Sequence, residues 1–166
     1  MTILSRKGLA AAALLGLVVG ANEAFAEWSA AVFANQKGAN FHATAVNSET
    51  IFYGTCNTNS EPGLHVSIGP YRGKALDRIE DVSRSVIFII KTHDGANREF
   101  RSTMYYYGGD KEWVIDMSNR LPPAFMNEFG RGGLLTIRNG RGEKVVDFDL
   151  GGAGKARETV RRVCHM

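Results

Sequence analysis

The sequence lacks most of the features that announce an activity. Cysteine occurs only at Cys56 and Cys164, and histidine only at His42, His65, His93 and His165. No two of these six lie at the two-to-five-residue spacing of a zinc site; Cys164 and His165 are merely adjacent, so no metal or cofactor is expected. No block of Lys or Arg forms a stripe able to track a phosphate backbone, which argues against nucleic acid. The longest apolar run, Gly8 to Gly20, holds 13 residues, short of the roughly 18 that a spanning helix needs. Proline is scarce, at four residues. No Pro-rich linker, repeat or low-complexity tract divides the chain, so a single domain is expected after the N-terminal segment.

That segment, 1–26, carries a pattern of its own. Arg6 and Lys7 precede the apolar run, and Ala24-Phe25-Ala26 supplies the small-x-small signature read by a signal peptidase. Cleavage before Glu27 is expected, a retained signal anchor being the alternative. The remainder, 27–166, is one domain's length. Without Arg6, Lys7 and Glu23 it holds 18 basic and 16 acidic residues, a net of +2. These charges are interleaved, as on an ordinary surface. Periplasmic or secreted placement follows, with no membrane span once the signal is removed. In an oxidising compartment Cys56 and Cys164 are expected to pair, two unpaired thiols being the alternative. The bridge would close a loop of about 107 residues, worth about 4–5 kcal/mol on chain entropy.

Nineteen glycines, many paired or beside Asn and Asp, punctuate short apolar or alternating runs, the rhythm of a mainly β domain. Strands are expected at 28–33, 41–46, 51–56, 64–68, 85–92, 98–107, 113–117, 134–138 and 144–150. Val86 to Ile90 has no polar face and reads as a strand buried on both sides. Arg98 to Tyr105 suits an edge or solvated strand. Asp94-Gly95, Asn139-Gly140 and Gly108-Gly109-Asp110 supply hairpin turns tolerant of positive φ. A short helix is expected after Pro122-Pro123, ended by Gly130. A second, Gly154 to Cys164, sets Ala156, Val160, Val163 and Cys164 on one face, which agrees with a bridge to Cys56. The expected fold is an antiparallel β-sandwich-like domain with a C-terminal helix and one short helix. Residues 71–83 suit a helix or a charged loop about equally.

The remaining chemistry-bearing residues read mainly as structural. A Cys164–His165 dyad would need a third orienting group and a free thiol. Glycoside hydrolysis would need two carboxyls across a cleft, drawn from Glu80, Asp81, Glu112, Asp116, Asp147 and Asp149. Asp147 and Asp149 alternate with Phe148 and Leu150, as on the solvent face of a strand. Gly151-Gly152-Ala153-Gly154-Lys155 lacks the full phosphate-loop spacing and reads as a strand-to-helix turn. Tyr105, Tyr106 and Tyr107, with Trp113, form a candidate binding surface, because exposed aromatics add contact area at low entropic cost. Cross-strand packing is the plainer account of the same residues.

The C-terminal stretch from Leu121 combines a short helix, a strand, Phe148-Asp149-Leu150-Gly151-Gly152 and a helix ending in Cys164. It resembles the end of periplasmic proteobacterial proteins of the invasion-associated locus B type, in which F-x-L-x-G precedes an alanine-containing helix and a terminal cysteine. The likeness covers about 45 of 166 residues. The N-terminal half departs from that family in having no second cysteine pair around Trp28. The resemblance implies an envelope β domain and carries over no catalytic residue. The expected role is an exported domain that binds an envelope protein or glycan. A small periplasmic hydrolase and an inhibitor of a secreted hydrolase are the alternatives.

Overall fold

A computed structural model describes residues 27–46, 48–59 and 63–166; the export pattern of 1–26 lies outside them. Nine strands form: β1 Ser29–Val32, β2 Gly38–Thr44, β3 Ile51–Asn57, β4 His65–Gly69, β5 Arg84–Thr92, β6 Asn97–Tyr107, β7 Glu112–Ile115, β8 Gly132–Asn139 and β9 Lys144–Asp149. Helix α1, Pro123–Phe129, joins β7 to β8, and α2, Ala153–Cys164, ends the fold. Every expected strand and both helices form, with ends shifted by a few residues.

All nine strands belong to one antiparallel sheet, ordered β1-β2-β3-β4-β7-β6-β5-β8-β9. The sandwich-like arrangement is thus a single sheet curled on itself. Its two ends approach each other. The Trp28 indole N–H donates to the Asp149 carbonyl at 2.6 Å, and the Val46 amide donates to the Asp147 carbonyl at 3.3 Å.

The core fills the inside of this curl. Alternation sends Phe41, Phe52, Val66, Ile68, Phe88, Met104, Trp113, Ile137 and Phe148 inward, where each is buried. Helix α1 enters the same space. Pro122 gives it no side-chain cap, and seven residues are too few for a stable isolated helix. Packing of Phe125, Met126 and Phe129, all fully buried, therefore holds it. Phe129 lies edge-on to Trp28 at 4.6 Å and to Phe41 at 5.4 Å. Gly54, opposite Phe41 in the β2–β3 register, leaves room for that ring. A Cβ on Gly54 would collide with the ring edge.

Helix α2 buries Ala153, Ala156 and Val160. Its last residue, Cys164, is bonded to Cys56 of β3, with Cα atoms 6.2 Å apart.

Three local expectations need correction. Val86, Phe88 and Ile90 are buried, but Ile87 and Ile89 are only half-buried. They face outward, and Arg101 and Arg138 flank Ile87 on that side, so one face of the strand is core and the other is partly covered by neighbours. In the β8–β9 turn the positive φ falls at Gly142 (+84°), not Gly140. Asn139 explains this: its side-chain oxygen accepts from the Arg141 and Glu143 amides and fixes the turn. In the β6–β7 turn the positive φ falls at Lys111 (+58°), not at Gly108 or Gly109.

The solvated-strand expectation for β6 holds in its first part. Asn97, Arg98, Glu99 and Arg101 are exposed on the part that pairs with β5, whereas Tyr105–Tyr107 pair with β7. Residues 71–83 form an irregular strap with no helix. Leu76 is buried while Ile79 and Val82 are exposed, so the apparent helical spacing lacks a common buried face.

Candidate functional site

The tyrosine run divides as alternation requires. Tyr106 turns inward and packs on Trp113, with ring centroids 5.8 Å apart. Trp113 is fully buried and does not belong to a binding surface. Its place opposite Tyr106 on the short strand β7 points it into the core. Tyr105 and Tyr107 face outward; Tyr107 is exposed and Tyr105 half-buried.

Strand register gives these outward tyrosines companions from distant parts of the chain. Ser29 stands opposite His42, His42 opposite Tyr53, Tyr53 opposite Ser67, Ser67 opposite Val114, and Val114 opposite Tyr105. One transverse row therefore crosses six strands on the outer face. A second row beside it holds Ala31, Asn40, Thr55 and His65. On the other side lie Thr44, Ile51 and Gly69, then Glu112, whose side chain covers Gly69, and Tyr107 opposite Glu112.

The rows are bonded into a surface. The Tyr53 hydroxyl accepts from Asn40 Nδ2 at 3.1 Å. The His42 and Tyr53 rings stack at 6.5 Å, and Ser29 Oγ lies 2.9 Å from His42 Nε2. The three rows carry one carboxylate, Glu112, and no Lys or Arg. Tyr53 and Tyr105 are three strand spacings apart, about 14 Å. The arrangement offers aromatic faces beside amide and imidazole groups, while Ser67, only 6% exposed, is covered by its neighbours.

No family model, curated protein or solved structure matches the chain.

The other sequence candidates do not converge. Among the described residues no group of three or more His, Cys, Asp or Glu is placed to hold a metal ion. His42 and His65 lie on different rows, His93 sits beside Gly133, and His165 follows α2. Cys164 is bonded to Cys56, so it is no nucleophile.

Of the candidate carboxylates, Asp116, Asp147 and Asp149 are engaged structurally, whereas Glu80 and Asp81 are exposed on the segment before β5 and Glu112 lies on β7. Asp116 accepts from the Ser118 amide and hydroxyl, which hold it below its ordinary range. Asp147 accepts from Thr136 Oγ1 at 2.7 Å, and Asp149 from the Gly151 amide at 2.5 Å. That last bond sets a carboxylate beside the glycine-rich turn, where Gly152 takes a left-handed φ of +83° and starts α2. Asp77, Asp94 and Glu143 are also held low, chiefly by side-chain bonds from Arg84, Thr92 and Asn139 respectively.

His65 is perturbed differently. Burial, then the Arg120 guanidinium, lowers its pKa from 6.5. The folded protein thus holds a neutral imidazole that the unfolded chain protonates more readily. His65 contributes stability above pH 6.5 that is lost as pH falls through its lower folded value. Urea midpoints measured from pH 7.5 down to pH 5 should therefore fall less steeply in His65→Gln than in the wild type. Identical slopes would remove His65 from the acid response.

Proposed function

We propose that the chain is an exported envelope domain that binds an oligosaccharide across the outer face of its sheet. The observation that carries this reading is the row His42–Tyr53–Ser67–Val114–Tyr105. Sugar rings offer apolar faces and a rim of hydroxyls. A surface of spaced aromatic rings with neutral donors and acceptors answers both. The separation of Tyr53 from Tyr105 exceeds one pyranose, so a linked chain fits better than a monosaccharide.

Export is supported by the charged, apolar and small-residue pattern of 1–26 and is compatible with the disulfide. The likeness of the C-terminal stretch to periplasmic proteins of the invasion-associated locus B type points to the same compartment. Binding is favoured over hydrolysis by the carboxylates. Cleavage needs two carboxyls facing each other across a cleft, whereas the tyrosine rows carry Glu112 alone, and Asp116, Asp147 and Asp149 are tied to neighbouring hydroxyl or amide groups.

The test is a binding screen of oxidised 27–166 against neutral and N-acetylated oligosaccharides. Tyr53→Ala and Tyr105→Ala should each weaken the best ligand by about tenfold or more, the usual effect of losing an aromatic anchor. Arg162→Gln on α2 should leave it unchanged. If no oligosaccharide binds, or if both tyrosine variants bind as the wild type does, the reading fails.

A further inference from the structure

The seam where the curled sheet meets itself carries a different kind of surface. After β4 the chain passes through Pro70 into the strap, which runs beside β9 toward the β8–β9 turn. Buried polar groups pin it in place. Thr50 Oγ1 donates to the Pro70 carbonyl at 3.0 Å, and the Ala75 amide donates to the Tyr71 hydroxyl at 3.2 Å. Asn139 Nδ2 donates to the Ala75 carbonyl at 2.7 Å. Thr50 and Asn139 are only 2% and 5% exposed, and Leu76 is anchored in the core.

Between the strap and β9 lies a cleft of about 650 Å³. Val46, Val145 and Val146 supply apolar wall, and Ser48 and Thr50 bring hydroxyl-bearing side chains to the lining. Three cations line it, Arg72, Lys74 and Lys144, against a single carboxylate, Asp147.

The cations are not equivalent. Lys144 is paired with Asp147 at 3.0 Å. Arg72 meets Glu49 at 3.4 Å, with both side chains 79% exposed, a pair that water screens heavily. Lys74 also borders a smaller cleft across the strap, shared with Arg84 and Arg141. Those two are paired with Asp77 and Glu143. Among the described residues Lys74 has no ion pair, so its charge is uncompensated where the two clefts meet.

We propose that the seam cleft binds a sugar-sized anion through a carboxylate or phosphate group, with Lys74 as the principal cation and Arg72 as the second. The volume lies within the range of small-molecule sites. Apolar walls concentrate the field of the excess positive charge. An ammonium is a compact point charge that serves either anion. The site shares no residue with the tyrosine rows and stands or falls separately from them.

An amide NMR titration of oxidised 27–166 tests it with glucuronate, glucose 6-phosphate, inorganic phosphate and uncharged glucose. The expected result is a set of shifts confined to 72–76 and 144–147, produced by anions and not by glucose, and weakened by added salt. Lys74→Gln, an exposed position, should weaken binding at least tenfold without moving the urea midpoint. Lys155→Gln on α2 should bind as the wild type does. A response to glucuronate alone assigns the carboxylate; a response to both phosphates alone assigns the phosphate. Absence of binding by every anion, equal binding of glucose, or unchanged affinity in Lys74→Gln overturns the proposal.

Discussion

Reducing the Cys56–Cys164 bridge should lower the unfolding free energy by about 4 kcal/mol, because the cross-link closes a very long loop in the unfolded chain. The two cysteines are 108 residues apart in sequence. The rest of α2 explains why the effect should be large. Its fully buried residues are Ala153, Ala156 and Val160, with Val163 half-buried against the core. Two methyl groups, one valine and part of a second bury little apolar area, and full burial of a valine side chain contributes only about 1.5–3 kcal/mol. The bridge holds the far end of the helix against β3, where packing alone is thin. Urea unfolding with and without reductant measures the loss, and a Cys56→Ser, Cys164→Ser variant should reproduce it. Amide exchange should accelerate first along 157–164. Before reduction, intact mass should be lower than after it by two hydrogen atoms. Alkylation of both thiols without reductant, or an unchanged urea midpoint, would sink the claim.

The pairing is legible in the sequence because two cysteines permit only one bridge. The strands are legible because their signals are local: alternation within runs such as Leu64 to Ile68, and turn residues between them. Local signals mislead where the answer lies on a neighbouring strand. Val86 to Ile90 has no polar residue, yet Ile87 faces outward between Arg101 and Arg138, and only register reveals those flanking side chains. Asn139 reads as a turn residue, but its amide also reaches Ala75, 64 positions away, and fixes the strap.

The candidate site shows the same division. Tyr105 and Tyr107 are visible in sequence, and alternation correctly separates them from Tyr106. Trp113 is misplaced by sequence reasoning because an aromatic residue six positions after Tyr107 does not disclose its facing. Tyr53 escapes notice as a site residue. Nothing within the segment Ile51–Asn57 shows that β3 and β4 bring it into line with Tyr105. The mixed aromatic and hydroxyl residues of β2, β3 and β4 carry the available signal, since their outward positions hold His42, Tyr53, Thr55, His65 and Ser67. The strap cations are equally hard to place. Arg72 and Lys74 are close in sequence, but Lys144 joins them only through closure of the sheet.

That closure depends on one aromatic cluster, and Phe129 is its hinge. Phe129→Ala should cost about 4 kcal/mol, the usual loss for truncating a fully buried phenylalanine. The ring touches both parts of the core. It lies 4.6 Å from Trp28 and 6.2 Å from Phe52 on one side, and 5.6 Å from Phe125 on the other. Phe125 in turn meets Phe88 and Phe100 at 6.0 and 5.3 Å. Since α1 has no side-chain N-cap, a cavity at its last residue should loosen the helix as well as the core. Trp28 reports the event, being edge-on to Phe129 and bonded through its indole to Asp149 at the other end of the sheet. The second tryptophan can be silenced for this measurement. Trp113 Nε1 has no hydrogen-bond partner among the described residues, so Trp113→Phe removes no such bond. In that background Phe129→Ala should shift Trp28 emission to longer wavelength and lower the urea midpoint, while Phe129→Leu should do both to a smaller degree. Unchanged Trp28 emission alongside a wild-type midpoint would mean that the seam is held without α1, and that the hydrogen bonds at Asp147 and Asp149 close the curl by themselves.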